Sequence, residues 1–170
     1  MQALLIGKRA KILTNVADRL RAFGWQVTLD NELDMQQLLN ADVSQVSVVA
    51  FGRALSKEQK DILTQHYRQL NNAIIAVEGL APIPELLVYQ ILAAARPITG
   101  QGITDAKLAT DGPVQLQVKA FRLNWLYQVK TKEVEIPLAQ NGSTDFSKIF
   151  KGFPFIVLEM NGRYSVISNR

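Results

Sequence analysis

Residues 3–29 read ALLIGKRAKILTNVADRLRAFGWQVTL, and the fold follows from how this stretch divides. Ala3-Leu-Leu-Ile6 is a short apolar run closed by Gly7, and Gln26-Val-Thr-Leu29 is a second, closed by Asp30-Asn31. Both have the length and bounds of buried strands. Between them Ile12, Leu13, Val16, Ala17, Leu20 and Phe23 recur at helical spacing, and Gly24 supplies the stop that a helix C-terminus favours. The unit is β-α-β.

Working outward, the alternation continues. A short amphipathic piece runs from about Asp34 to Asn40, and Val46-Ser-Val-Val-Ala-Phe51 makes a third strand ending at Gly52. Ser56-Lys-Glu-Gln59 has capping-box form and opens a helix with the apolar stripe Ile62, Leu63, Tyr67 and Leu70. Ala73-Ile-Ile-Ala-Val77 is a fourth strand, and the Pro82 and Pro84 pair prepares a last helix that runs to Ala95. Strands separated by helices imply parallel pairing with right-handed crossovers. The expected architecture is therefore α/β: a parallel sheet of about four strands, order 2-1-3-4, with helices on both faces.

Near Arg96-Pro97 the pattern changes. Glycine, threonine and proline dominate to Gly112, so residues 1–96 are read as the α/β domain and 97–112 as a connection. Residues 113–170 then show period two: Val114, Leu116, Val118 and Ala120 alternate with polar residues. Val134-Glu-Ile136, Phe155-Ile-Val-Leu158 and Tyr164-Ser-Val-Ile167 add strands, and Asn141-Gly142 and Asn161-Gly162 are hairpin signals. A small antiparallel β-domain is expected here. Its length is marginal for an independent core, which predicts packing against the α/β part or a second subunit, and hence a homo-oligomer.

Composition narrows the chemistry. The 170 residues hold 48% hydrophobic and 20% charged side chains, no cysteine and one histidine, His66. Disulfides, thiol nucleophiles, Cys-based metal sites and His–His metal pairs are excluded. The opening apolar run is too short for a signal segment or a membrane span, so a cytoplasmic protein with no membrane partner is expected. Up to Gly112 there are 11 Lys/Arg and 11 Asp/Glu, and from Pro113 onward 8 and 4, so the net +4 lies wholly in the last third. Phe121-Arg-Leu-Asn-Trp-Leu-Tyr127, with Lys119 and Lys130, interleaves aromatics and bases as a single-strand platform would. Alternation puts Phe121, Leu123 and Trp125 on one face, which reads as core, and nucleic acid is not an expected partner.

In an open parallel sheet, ligands bind beyond the carboxyl ends of the strands. Gly7, Lys8, Arg9 and Lys11 follow the first strand and open a helix, where a phosphate can meet backbone N–H groups. Asp30 ends the second strand 23 positions after Gly7, near the ~20-residue offset of a ribose-binding carboxylate. It is also a natural turn former. Gly52 ends the third strand, and Glu78 is the one strand-terminal carboxylate to test as an acid, without an evident partner. His66 borders its helix's apolar stripe and reads as a packed, satisfied imidazole. No cluster of metal ligands is apparent.

Residues 1–95 resemble a shortened short-chain dehydrogenase, a Rossmann-type family. Gly7-Lys-Arg-Ala-Lys-Ile-Leu13 stands where that family has its glycine-rich turn, and Ala17-Asp-Arg-Leu-Arg-Ala-Phe-Gly-Trp-Gln-Val27 is similar to its first helix and second strand. Ala50-Phe-Gly52 resembles its Asn-Asn-Ala-Gly strand, and Tyr89-Gln-Ile-Leu-Ala93 stands at its Tyr-x-x-x-Lys pair. The resemblance implies NAD or NADP as cofactor, with Gly7, Lys8, Arg9, Asp30 and Gly52 near it and Tyr89 as the catalytic tyrosine. The departures remove that chemistry. Lys11 and Leu13 replace two motif glycines and would obstruct the pyrophosphate path, Ala93 replaces the lysine, and one strand–helix unit is missing. A phenol with no neighbouring cation ionises near ~10 and is a poor acid–base at neutral pH. A receiver-type phosphotransfer domain is excluded as well, because Gly7-Lys8 and Phe51-Gly52 stand where its acidic residues belong. The expected function is a binding or assembly module for a small anionic or nucleotide ligand. The alternative is a minimal NAD(P)-dependent oxidoreductase using Tyr89 and Asp30, and a third reading is weak nucleic-acid binding through the C-terminal bases, which would fall steeply with salt.

Overall fold

The computed structural model describes residues 1–98, 107–109, 114–124, 128–138, 143–145 and 149–168. The chain divides into two compact units, Met1–Ala95 and Arg96–Arg170.

The first unit has strands β1 (Gln2–Ile6), β2 (Gln26–Asp30), β3 (Val48–Phe51) and β4 (Ile75–Glu78), with helices α1 (Ala10–Ala22), α2 (Met35–Leu39), α3 (Lys57–Leu70) and α4 (Pro84–Ala95). All three strand pairings are parallel and the order is β2-β1-β3-β4, as the alternation predicts. On one face Leu4, Ile6, Val49 and Phe51 pack with Leu38 of α2 and Leu63 and Tyr67 of α3. Period-two alternation turns Ala3, Leu5, Val48 and Ala50 to the other face. There α1 packs against α4, which is itself packed on β3 and β4. The chain therefore changes faces where it reverses direction along the sheet, between β1 and β3, and right-handed crossovers require this.

Local chemistry sets the boundaries. After α1, Gly24 adopts φ 79. The Trp25 N–H donates to the Leu20 carbonyl at 3.1 Å and the Gly24 N–H to Arg21 at 2.8 Å, which closes the helix in a Schellman motif with buried Trp25 beside Leu20. The α3 capping box forms as its sequence predicts: Ser56 Oγ accepts from the Gln59 N–H and Gln59 Oε1 from the Ser56 N–H. β4 starts at Ile75, two residues later than the apolar run begins. Asn71 binds the Ala73 N–H through Oδ1 and the Ile74 N–H through its carbonyl, which holds that stretch in a turn.

Asn71 also joins His66 and Tyr67 in a polar clamp. Tyr67 donates its hydroxyl to the Leu38 carbonyl at 2.7 Å, and His66 Nε2 donates to Leu39 at 2.8 Å. Asn71 Nδ2 donates to the Val43 and Val46 carbonyls, both at 3.0 Å. The last turn of α3 and the Asn71 that follows it thereby satisfy carbonyls at the end of α2 and in the loop to β3. Burial, and secondarily the negative charge of Asp30, pushes the Tyr67 phenol up to about 12. A raised pKa favours the protonated form in the folded state, so this contribution to stability is complete below pH ~10 and is lost as pH rises toward the folded value. Urea denaturation at pH 9 and 11 should show a loss in the wild type that is smaller in Tyr67→Phe.

The second unit holds β6 (Val114–Leu123), β7 (Val129–Leu138), β9 (Phe155–Met160) and β10 (Arg163–Ser168) in an antiparallel sheet, order β10-β9-β6-β7. β5 (Lys107–Ala109) and β8 (Ser143–Asp145) form a separate antiparallel pair. Within the stretch read as a connection, Ile98 is thus a core residue and 107–109 are strand. Leu116, Val118, Ala120, Ile156 and Leu158 line one sheet face under Phe150 and Ile98. The β9–β10 turn uses Asn161 at φ 51 and Gly162 at φ 69, the two positive values a type I′ hairpin needs. The Asn141-Gly142 signal lies outside the described residues.

Candidate functional site at the rim of the parallel sheet

The carboxyl ends of β1 and β3 meet at the reversal point. The Gly7 N–H donates to the Asp30 carbonyl at 2.9 Å and the Gly52 N–H to the Ile6 carbonyl at 2.7 Å. A Cβ on Gly52 would lie 3.1 Å from Gly7 Cα and 3.2 Å from the Ile6 oxygen. A Cβ on Gly7 would meet Leu13 Cδ2 at 3.4 Å and Gly52 Cα at 3.5 Å. It is the absence of a side chain at Gly52 that lets the two backbones touch. Leu13, buried in α1, occupies the space beside Gly7, whereas Lys11 is exposed on the first turn.

Cations surround this contact. Lys8 and Arg53 directly follow the touching glycines, and Arg9 and Lys11 flank the start of α1; all four are exposed. None takes part in an ion pair or a side-chain hydrogen bond among the described residues. The α1 N-cap is Arg9, which makes no side-chain cap, and the first turn holds no acidic residue. The positive end of a 13-residue helix and four exposed cations therefore lie at this rim, and the strand-end carboxylates Asp30 and Glu78 pair with none of the four.

The carboxylates are engaged elsewhere and do not pair. Asp30 Oδ1 accepts from the Leu33 N–H at 3.1 Å, tying a turn in which Leu33 has φ 59. Glu78 binds Lys60 Nζ at 2.8 Å. Its carbonyl accepts from Gln90 Nε2 at 2.8 Å, while Gln90 Oε1 accepts from the Leu80 N–H at 3.1 Å, clamping the β4–α4 turn. Asp30 ends one edge strand and Glu78 the other, so three strand spacings, roughly 14 Å, separate their backbones. Tyr89 is half-buried on α4, with Ala93 one turn further on. The sequence reading missed the clamp roles of Asn71 and Gln90, because an amide's partner carbonyls leave no local pattern.

Elsewhere, polar Asp61, Thr64, Gln65, Arg68 and Gln69 line a groove along the outer side of α3. Phe121 is 0% exposed and Lys119 pairs with Glu133; Trp125 and Tyr127 lie outside the described residues. No group of three His, Asp or Glu side chains able to hold a metal occurs among the described residues. Among them, no helix is long and apolar enough to cross a membrane.

No protein-family model matches the chain, and no curated protein does. Among solved structures it is similar to an NAD kinase from Archaeoglobus fulgidus in complex with ATP, at 13% identity over 99% of this chain and 77% of that one, with a TM-score of 0.33. A superposition at that score carries no argument about ligand or chemistry. What stands is the fold itself: a mixed α/β protein with a four-stranded parallel sheet and a separate four-stranded antiparallel one.

Proposed function

We propose that the α/β unit is a non-catalytic binding module for a small phosphate-bearing ligand, a nucleotide in the first instance, held at the reversal between β1 and β3. The observation that carries this reading is that Lys8 and Arg53, which follow the touching glycines, and Arg9 and Lys11, at the start of α1 where no side chain caps the helix, are all exposed and unpaired among the described residues. A helix N-terminus offers N–H donors and a positive dipole end to an anion, and arginine matches phosphate oxygens two at a time. Descent from a short-chain dehydrogenase belongs to the same reading, with Gly52 kept for backbone contact and not for a pyrophosphate. The absence of a lysine at Ala93 and the Lys60–Glu78 ion pair support the non-catalytic part. The module is also taken to self-associate, and light scattering that finds a monomer at high concentration would remove that element.

Calorimetric titration with ADP and with NAD should show saturable binding that weakens at least tenfold in Lys8→Glu/Arg53→Glu, about 1.4 kcal/mol or more. Binding that is absent at millimolar ligand, or unchanged in that variant, refutes the site. NADH-dependent reduction of a carbonyl substrate refutes the non-catalytic claim and restores the oxidoreductase alternative.

A further inference from the structure

The antiparallel sheet sorts its charges by face. In register, Arg122 lies opposite Lys130 and Ala120 opposite Lys132, while Val118 lies opposite Val134. Directly opposed residues share a face, so Arg122, Lys130 and Lys132 extend the face that carries Leu116, Val118 and Ala120 over its core. The acids of the same sheet point the other way: Glu133 takes Lys119, Glu135 is two residues along the same strand, and Glu159 accepts from the Tyr164 hydroxyl at 3.3 Å. Toward the end where β6 joins β7, the charged side chains described on the core-bearing face are all cations.

The segment beside them reinforces this. Lys132 Nζ donates to the Ile149 carbonyl at 3.2 Å and sits 5.3 Å from the centroid of the Phe150 ring. Gly152, at φ 83, adjoins the Arg122 guanidinium, whose Nη1 lies 3.8 Å from where a Cβ would be, an ordinary contact distance. Exposed Lys151 adjoins it in sequence. Arg122, Lys130 and Lys151 make no ion pair among the described residues. Like charges opposed across two strands repel and destabilise the pairing. Their backbones are roughly 5 Å apart, and Lys132 follows Lys130 by roughly 6.7 Å along the edge strand.

These charges are exposed, and no wall encloses them in the described residues. One exposed ion pair contributes no more than about 1 kcal/mol, so a lone phosphate would not stay. A chain of phosphates engages every cation at once and gains free energy from each counterion it releases. From these facts we infer that the β6–β7 end of the sheet is a docking surface for the sugar–phosphate backbone of single-stranded nucleic acid, without sequence preference. Arg122 on β6 and Lys130 and Lys132 on β7 follow one another at roughly 5–7 Å, a spacing that successive phosphates of one extended nucleic-acid chain can track. The row belongs to a part of the chain with 8 basic against 4 acidic residues, which draws a polyanion from a distance. Phe121, the first aromatic of the platform read from the sequence, has no part in it, since it is buried on the other face.

The test is fluorescence anisotropy of a labelled 20-mer of thymidine with the full chain. Saturable binding is expected at 50 mM salt. Three to four neutralised phosphates give a log–log salt slope of about −2 to −3, so affinity should fall about 20- to 50-fold by 200 mM. Arg122→Glu/Lys130→Glu should weaken binding at least tenfold at 50 mM, and the milder Arg122→Gln/Lys130→Gln, which also relieves the repulsion between the two positions, should weaken it less while melting no lower than wild type. Lys57→Glu/Arg68→Glu, which changes net charge equally on another surface, should stay within twofold of wild type. The inference is overturned by absent or salt-independent binding, by wild-type affinity in the β6–β7 variants, or by tighter capture of phosphatidylserine vesicles than of the oligonucleotide. It is overturned too if Lys8→Glu/Arg53→Glu abolishes oligonucleotide binding while the β6–β7 variants keep it, which separates this surface from the nucleotide site proposed above.

Discussion

Phe51→Ala is expected to lower the unfolding free energy by about 3–5 kcal/mol. Phe51 is the last residue of β3 and only 1% exposed. It packs in the cluster that joins the sheet to α2 and α3 through Leu38, Leu63 and Tyr67. Its backbone is held on both sides, in register with Ile6 of β1 and Glu78 of β4. Those neighbours cannot collapse into the space, so truncation forfeits the transfer free energy of the ring and leaves a cavity as well. Since a domain's whole stability is on the order of 5–15 kcal/mol, the loss is a large share. Urea denaturation of wild type and variant measures it, and a midpoint shift equivalent to less than about 1 kcal/mol would show that this cluster does not hold the sheet. Gly52 and Arg53 follow Phe51 directly, so ligand binding at the rim should weaken along with stability.

Gly52→Val should cost about 2–3 kcal/mol, toward the upper end of the usual range for overpacking. The reason is what the new carbon meets. Both atoms within 3.2 Å of a Cβ at this position are backbone, Gly7 Cα and the Ile6 oxygen, and neither can rotate aside. At Gly7 the nearest atom is the end of a leucine side chain at 3.4 Å, an ordinary contact, and φ there is not positive. Gly7→Ala should therefore fold with nearly wild-type stability. Thermal melts of the two variants decide the point: equal behaviour would mean that the β1 and β3 ends are not in contact as described. If Gly7 made room for a phosphate, Gly7→Ala would lose nucleotide affinity at unchanged stability.

Which elements were legible follows from the range of the forces that make them. The α3 capping box, the Gly24 stop and the Asn161-Gly162 hairpin are each closed by atoms within a few residues of one another, so their sequences alone predict them. The start of β4 was misplaced by two residues because the deciding groups, the Asn71 carbonyl and amide, belong to the preceding turn and not to the apolar run. Asp30 illustrates the same limit at the candidate site. Its spacing from Gly7 suits a ribose ligand and its neighbour Asn31 suits a turn, and only the folded chain shows Oδ1 on the Leu33 N–H.

By itself the sequence determined the α/β order, the parallel four-strand sheet and the antiparallel character of the last third, because hydrophobic period and turn chemistry act locally and repeat along the chain. The tertiary structure alone decided that Gly7 and Gly52 touch, that Glu78 is held by Lys60, and that Arg122 lies opposite Lys130. Each of those outcomes depends on strand register and on which element lies next to which. Register is set by the packing of whole faces, and contacts between residues distant in the chain leave no mark in the identity of either residue alone.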